Sequence, residues 1–312
     1  MAKYNYHSYF QFPLCLLKGV FENAETGLNL IISYSIVNLA KKLSYSQNDV
    51  ARQLMYDCYR NESKLHNSLR TIIAKYIKKG ELTYDLDYNG FSGTGNEFEF
   101  EPSGEELRSI FAKDKEFYQL AILHYQIHCA AKVLNVQLGS IENTMRNYEK
   151  ANSLVESHES KYGKDPTPGI KTSLLFDIRD KKNYEEMVLI CGLIAIRSTV
   201  GKRRFTSTTK SVIAMRMIGA KSNVVLQDFL KDKKLKVVHE RYSKRYPMDK
   251  LLDTLIQRKF LNSKIPIGRR IYISPTLNMD ELEKVIITFR KEKNIKKKEK
   301  DARQRILDAT RQ

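Results

Sequence analysis

The chain has 312 residues, of which 54 are Lys or Arg and 36 are Asp or Glu, giving a formal net charge of +18. A hydrophobic fraction of 42% is enough for packed cores, which argues against wholesale disorder. No apolar run approaches the roughly 20 residues of a membrane span, and the first residues lack the apolar stretch of a signal peptide.

The charge is unevenly placed. Residues 1–170 hold 19 basic and 20 acidic residues, whereas residues 171–312 hold 35 and 16, a net +19. Such asymmetry points to a polyanionic partner for the second half. The four cysteines, Cys15, Cys58, Cys129 and Cys191, form no CxxC pair, so they read as reduced thiols of a cytoplasmic protein.

Residues 1–102 form the first block. Phe10–Leu17 is an apolar leading segment, followed by expected helices over Leu28–Leu43, Gln47–Arg60 and Ser63–Lys79. Ser46 is placed to cap the second, and Gly80 to end the third. Glu81–Tyr88 and Glu97–Glu101 alternate apolar and acidic residues around a glycine-rich tip, a hairpin signal. Three helices and a hairpin resemble a winged-helix domain. Its acidic wing would repel phosphates, so the expected role is protein docking or self-association through residues 1–157.

Residues 103–157 read as a helical segment. Ser103-x-x-Glu106 has a capping-box spelling, and Asp114–Val136 is apolar on most faces. His158–Gly169, within a linker at 158–170, coincides with the change in charge.

Residues 171–275 form the basic domain. The pattern predicts helices over Tyr184–Val200, Thr206–Ile218, Ser222–Lys231 and Pro247–Leu261, with a charged stretch before the last. Ile265–Ile267 and Arg270–Ile273 flank Gly268-Arg269 as a short hairpin. Residues 276–312 read as a basic helical tail, densest around Lys291–Lys300.

Two constellations carry the functional expectation. In Thr208–Ser222, an apolar-striped helix meets Gly219 in a tight turn and a helix capped by Ser222. This stretch resembles helix-turn-helix proteins. Arg241–Ser274 resembles the recognition helix and basic wing of winged-helix domains. The expected DNA contacts are Lys202, Arg203, Arg204, Lys210, Arg216, Lys221, Ser222, Lys244, Arg245, Lys250, Arg258, Lys259, Lys264, Arg269 and Arg270. Cations of this kind neutralise phosphates, while one helix reads the major groove.

Catalytic motifs are sparse in the sequence. His124 and His128 are one helical turn apart, a spacing that can hold a metal, but without HExxH or a third ligand nearby ordinary packing is the favoured reading. Gly90-x-x-Gly93-x-Gly95 precedes a strand, not the helix a phosphate loop needs. His239-Glu240-Arg241 lacks the HxxR spacing of tyrosine recombinases. No enzyme activity and no cofactor are expected.

The expected fold is mainly α with small β-hairpins, in two winged-helix-like domains joined by helices. This layout resembles plasmid and phage replication initiators. The resemblance implies a sequence-dependent duplex-DNA binder serving replication of a plasmid, phage or other mobile element. A transcriptional regulator, or an RNA-binding or interaction protein without DNA specificity, is the alternative.

Overall fold

The computed structural model describes residues 9–60, 66–82, 101–171 and 184–309. The chain is mainly helical, with small two- and three-stranded sheets. It divides into two compact units that interleave in sequence: residues 1–12, 25–163 and 170–176 in one, and 13–24, 164–169 and 177–312 in the other.

The first unit holds strand β1 (Tyr9–Gln11), paired with β2 (Gly169–Lys171) at the unit boundary, and helices α2 (Ala24–Ala40), α3 (Gln47–Arg60), α4 (Asn67–Lys78), α5 (Glu101–Lys113), α6 (Lys115–Val133) and α7 (Ile141–Tyr162). Ser46 caps α3 as its sequence suggests, its Oγ accepting the Asp49 N–H at 3.2 Å. Asp114 caps α6 through the Phe117 N–H at 2.9 Å and accepts the Tyr76 hydroxyl at 2.9 Å. These hydrogen bonds favour the carboxylate and hold Asp114 below its ordinary range, against the opposing effect of burial. Val50, Leu54, Leu69, Ile73, Leu107, Ile110 and Phe117 form the core.

Several expectations change here. The helix α5 starts at Glu101, ahead of Ser103, so Ser103-x-x-Glu106 does not start it. The helix α7 runs to Tyr162, which makes His158–Tyr162 helical and shortens the connection to 163–168. His124 is buried, with its ring 4.7 Å from that of His128. The expected acidic hairpin falls on 83–100, outside the described residues.

The second unit contains α1 (Leu17–Glu22), α8 (Tyr184–Val200), β3 (Thr206–Thr208), α9 (Lys210–Met217), α10 (Asn223–Phe229), α11 (Lys233–Ser243), α12 (Arg245–Gln257), β4 (Ser263–Ile267), β5 (Arg270–Ser274) and α13 (Met279–Ala309). The dense apolar run of α8 is buried almost throughout, which makes it the central helix of the unit. The sheet order is β3-β5-β4, both pairings antiparallel, with Thr206 opposite Ile273 and Ile267 opposite Arg270. Thr206–Thr208 is therefore a strand, not the start of a helix, and α9 begins behind its cap Thr209. The charged stretch before Pro247 contains α11, capped by Asp232, with Leu235, Val238 and Tyr242 buried on one face.

Gly219 joins α9 to α10 with φ at +91°. A Cβ there would sit 2.9 Å from the Leu14 carbonyl oxygen. Two constraints meet at one residue: a left-handed backbone and the close approach of the 13–24 segment. Gly219→Ala is therefore expected to destabilise the protein by about 2–6 kcal/mol, since strain at a special φ and overpacking each cost about 1–3 kcal/mol. Chemical denaturation of the two proteins side by side measures it.

Candidate nucleic-acid interface

The helix α12 lies closely on α8 because Gly192 has no side chain. A Cβ at Gly192 would meet the Leu251 Cδ2 at 2.8 Å. Met248, Leu251, Leu252 and Leu255 bury the inner face of α12. Pro247 sits in its first turn, where the missing N–H has no helical partner to lose. The outer face carries Arg245, whose side chain is 91% exposed, Tyr246, 78% exposed, and exposed Lys250.

Two acids on α12 fasten it to its neighbours. Asp249 accepts the Lys210 ammonium at 2.8 Å and lies 3.7 Å from the Arg245 Nε. Asp253 pairs with Lys264 of β4 at 2.8 Å, and the same ammonium donates to the Asp249 carbonyl at 3.2 Å. These bonds tie the start of α9 and the base of the hairpin to α12. The hairpin tip, Gly268-Arg269, lies four residues beyond Lys264, or about 13 Å along an extended strand. Gly268 has φ of +60° and Arg269 does not share the positive sign, the pattern of a type II′ turn. Arg269 and Arg270 are both exposed, and Arg270 donates to the Ser207 Oγ at 3.1 Å.

The expected contact residues thus separate into two groups. Lys210 and Lys264 are largely buried in the clamps just described. Arg258 makes a bidentate pair with the buried carboxylate of Glu186, both bonds at 2.6 Å. Arg216 donates to the carbonyl and hydroxyl of Ser198, each at 3.2 Å, and burial pulls its guanidinium below the usual range against the charge of Asp165. Lys221 points inward, donating to the Lys164 carbonyl at 2.8 Å beside the fully buried side chain of Asp165. Ser222 caps α10 through the Val225 N–H. The fold uses these six as fastenings, five of them partly or largely buried and Arg258 still exposed.

Arg203 donates to the Val200 and Thr199 carbonyls at the end of α8, although the residue remains exposed. Lys202, Arg204, Lys244, Arg245, Lys250, Lys259, Arg269 and Arg270 are exposed as well. Lys259 adopts a positive φ of 58° just past the end of α12. Tyr246, at the solvent-facing start of α12, is not among the expected DNA contacts but shares their surface. Its cue in the sequence is the position beside Pro247 in a first helical turn.

Next to this surface a groove is lined by Glu185, Arg241, Tyr242, Tyr246 and Lys250. Burial raises the Tyr242 and Tyr184 hydroxyls, and Arg241 opposes both shifts. His239 on α11 is held below its usual range by burial, with Glu240 acting the other way. No helix among the described residues is long and apolar enough to cross a membrane. Comparison with protein-family models, curated proteins and solved structures finds no match.

Proposed function

We propose that the second unit binds duplex DNA, with α12 in the major groove and the β4–β5 hairpin against the backbone. Over residues 184–274 a helix, a strand, four helices and two strands follow in order, with the first strand paired to the last, an order that resembles a winged-helix domain with additional helices. What supports the reading is that Lys244, Arg245 and Lys250 at the start of α12 and Arg269 and Arg270 at the hairpin are all exposed, and that Lys264 ties the base of that hairpin to Asp253 and the Asp249 carbonyl of α12. Cations fixed on a helix and an adjoining hairpin suit phosphates flanking a groove, and Tyr246 adds a polar aromatic group to the helix that would meet base edges.

In this reading the near-neutral first unit serves protein contact or self-association. The protein acts as a replication initiator or accessory factor of a plasmid, phage or other mobile element, with transcriptional regulation as the alternative use of the same surface. The test is duplex binding by the full chain as a function of salt. Five phosphate contacts predict a slope of log K on log salt of about −4 to −5. Selection from a random duplex pool should return a shared motif. A salt-independent interaction, or no binding at about 50 mM salt, would overturn the reading.

A further inference from the structure

At the end of the sheet away from the hairpin tip lies a second cationic surface with a different chemistry. The loop Lys202-Arg203-Arg204 is anchored there, the Arg204 carbonyl accepting the Ser274 and Thr276 hydroxyls at 2.6 and 3.4 Å. Phe205 follows and meets Phe289 of α13 edge to face, with ring centroids 5.7 Å apart and planes at 87°. Grooves open along this pair, floored by Phe205, Val285 and Phe289 and edged by the loop cations on one side and by Lys284 and Glu292 on the other. Phe289 remains 39% exposed.

The helix α13 extends the surface. Leu282 and Ile286 are buried against the sheet, and Phe289 follows on the same seam. The next positions in that 4-3-4 spacing are Lys293, Lys297 and Lys300, all exposed. The face that packs on the sheet therefore turns cationic beyond it. Over residues 290–305 the sequence holds nine Lys or Arg and three acids. A second copy of the chain docking through this seam would set lysine against lysine. The chemistry calls for a polyanion that also has flat apolar faces to offer.

We infer that this groove and the cationic seam of α13 bind single-stranded nucleic acid, with an unstacked base against Phe205 and Phe289 and the backbone along Lys202, Arg204, Lys293, Lys297 and Lys300. A positive track beside exposed aromatic rings is how single strands are held without sequence readout. A duplex keeps its bases stacked on one another and has nothing to place on the rings. The surface is thus chemically distinct from α12 and the hairpin.

The experiment titrates labelled dT15 and U15 into the full-length protein by fluorescence anisotropy at about 50 mM salt, the low-salt regime where phosphate contacts are strongest. At least one oligonucleotide should bind. Phe289→Leu keeps an apolar group in the cluster but removes the ring, and should weaken that binding roughly 5- to 150-fold while leaving duplex affinity unchanged. Lys293→Glu/Lys297→Glu/Lys300→Glu should lower the single-strand salt slope by about two. The inference is overturned if neither oligonucleotide binds, if both variants bind like the parent, or if Phe289→Leu lowers duplex and single-strand affinity in parallel. Loss of duplex binding alone would remove the reading of the α12 surface and leave this one standing.

Discussion

Lys221→Ala is expected to lower stability by about 3–5 kcal/mol, the usual cost of leaving one member of a buried ion pair uncompensated. The side chain of Asp165 is fully buried, and its Oδ2 accepts the Cys15 N–H at 2.6 Å. The Lys221 ammonium lies 4.0 Å from the Oδ1. Without it, a carboxylate would remain inside the protein with one of its cationic neighbours removed. Urea unfolding should show a lower midpoint with an unchanged m-value. Lys221→Met combined with Asp165→Asn should recover much of the loss, because replacing both partners of a buried pair is often close to neutral. Duplex affinity per folded molecule should stay the same. A drop in affinity at constant stability would instead put Lys221 at the nucleic acid.

Arg269→Glu combined with Arg270→Glu is expected to have the largest effect on duplex binding. Removing two phosphate contacts takes about 1.8 units from the salt slope and, near 0.1 M salt, roughly 50- to 100-fold from affinity through counterion release alone. Repulsion by the introduced carboxylates adds to that. The loss should be similar for all sequences, since backbone contacts carry no base information. Both side chains are exposed, and among the described residues the bond lost is the exposed Arg270–Ser207 contact, so thermal unfolding should barely change. Unchanged affinity would show that the hairpin does not touch the backbone.

Local order was largely legible in the sequence. Tyr184–Val200 forms the helix its apolar run implies, and Gly268-Arg269 forms the turn of a hairpin. The cap at Ser46 and the stop near Gly80, with φ of +67°, follow from single residue types. The strand Thr206–Thr208 is hidden in the sequence because three residues are too few to display a period, and its pairing partner lies some 65 positions away. The helix α11 was obscured by its cations, although Leu235, Val238 and Tyr242 carry the necessary spacing. Least legible was the direction of each charge. Lys221 and Lys250 look alike in a sequence, and only the fold distinguishes a cation held against a buried carboxylate from one facing water. Interior acids, here Glu186 and Asp165, were the available sign that some of the cations would be needed inside.

The interleaving of the two units carries a consequence for how the protein is made. Residues 13–24 belong to the second unit, yet the backbone of Leu14 and Cys15 finds its place against Gly219 and Asp165. A ribosome adding about 5–20 residues per second reaches Gly219 roughly 10–40 s after it has finished residue 24. Throughout that interval Leu14, Leu16, Leu17, Val20 and Phe21, all buried in the finished protein, have emerged ahead of the surface that will cover them. The first unit can close around its own core while this segment waits. The second unit completes only when residues 13–24 join it, a long-range step of the kind that slows folding and favours chaperone attendance.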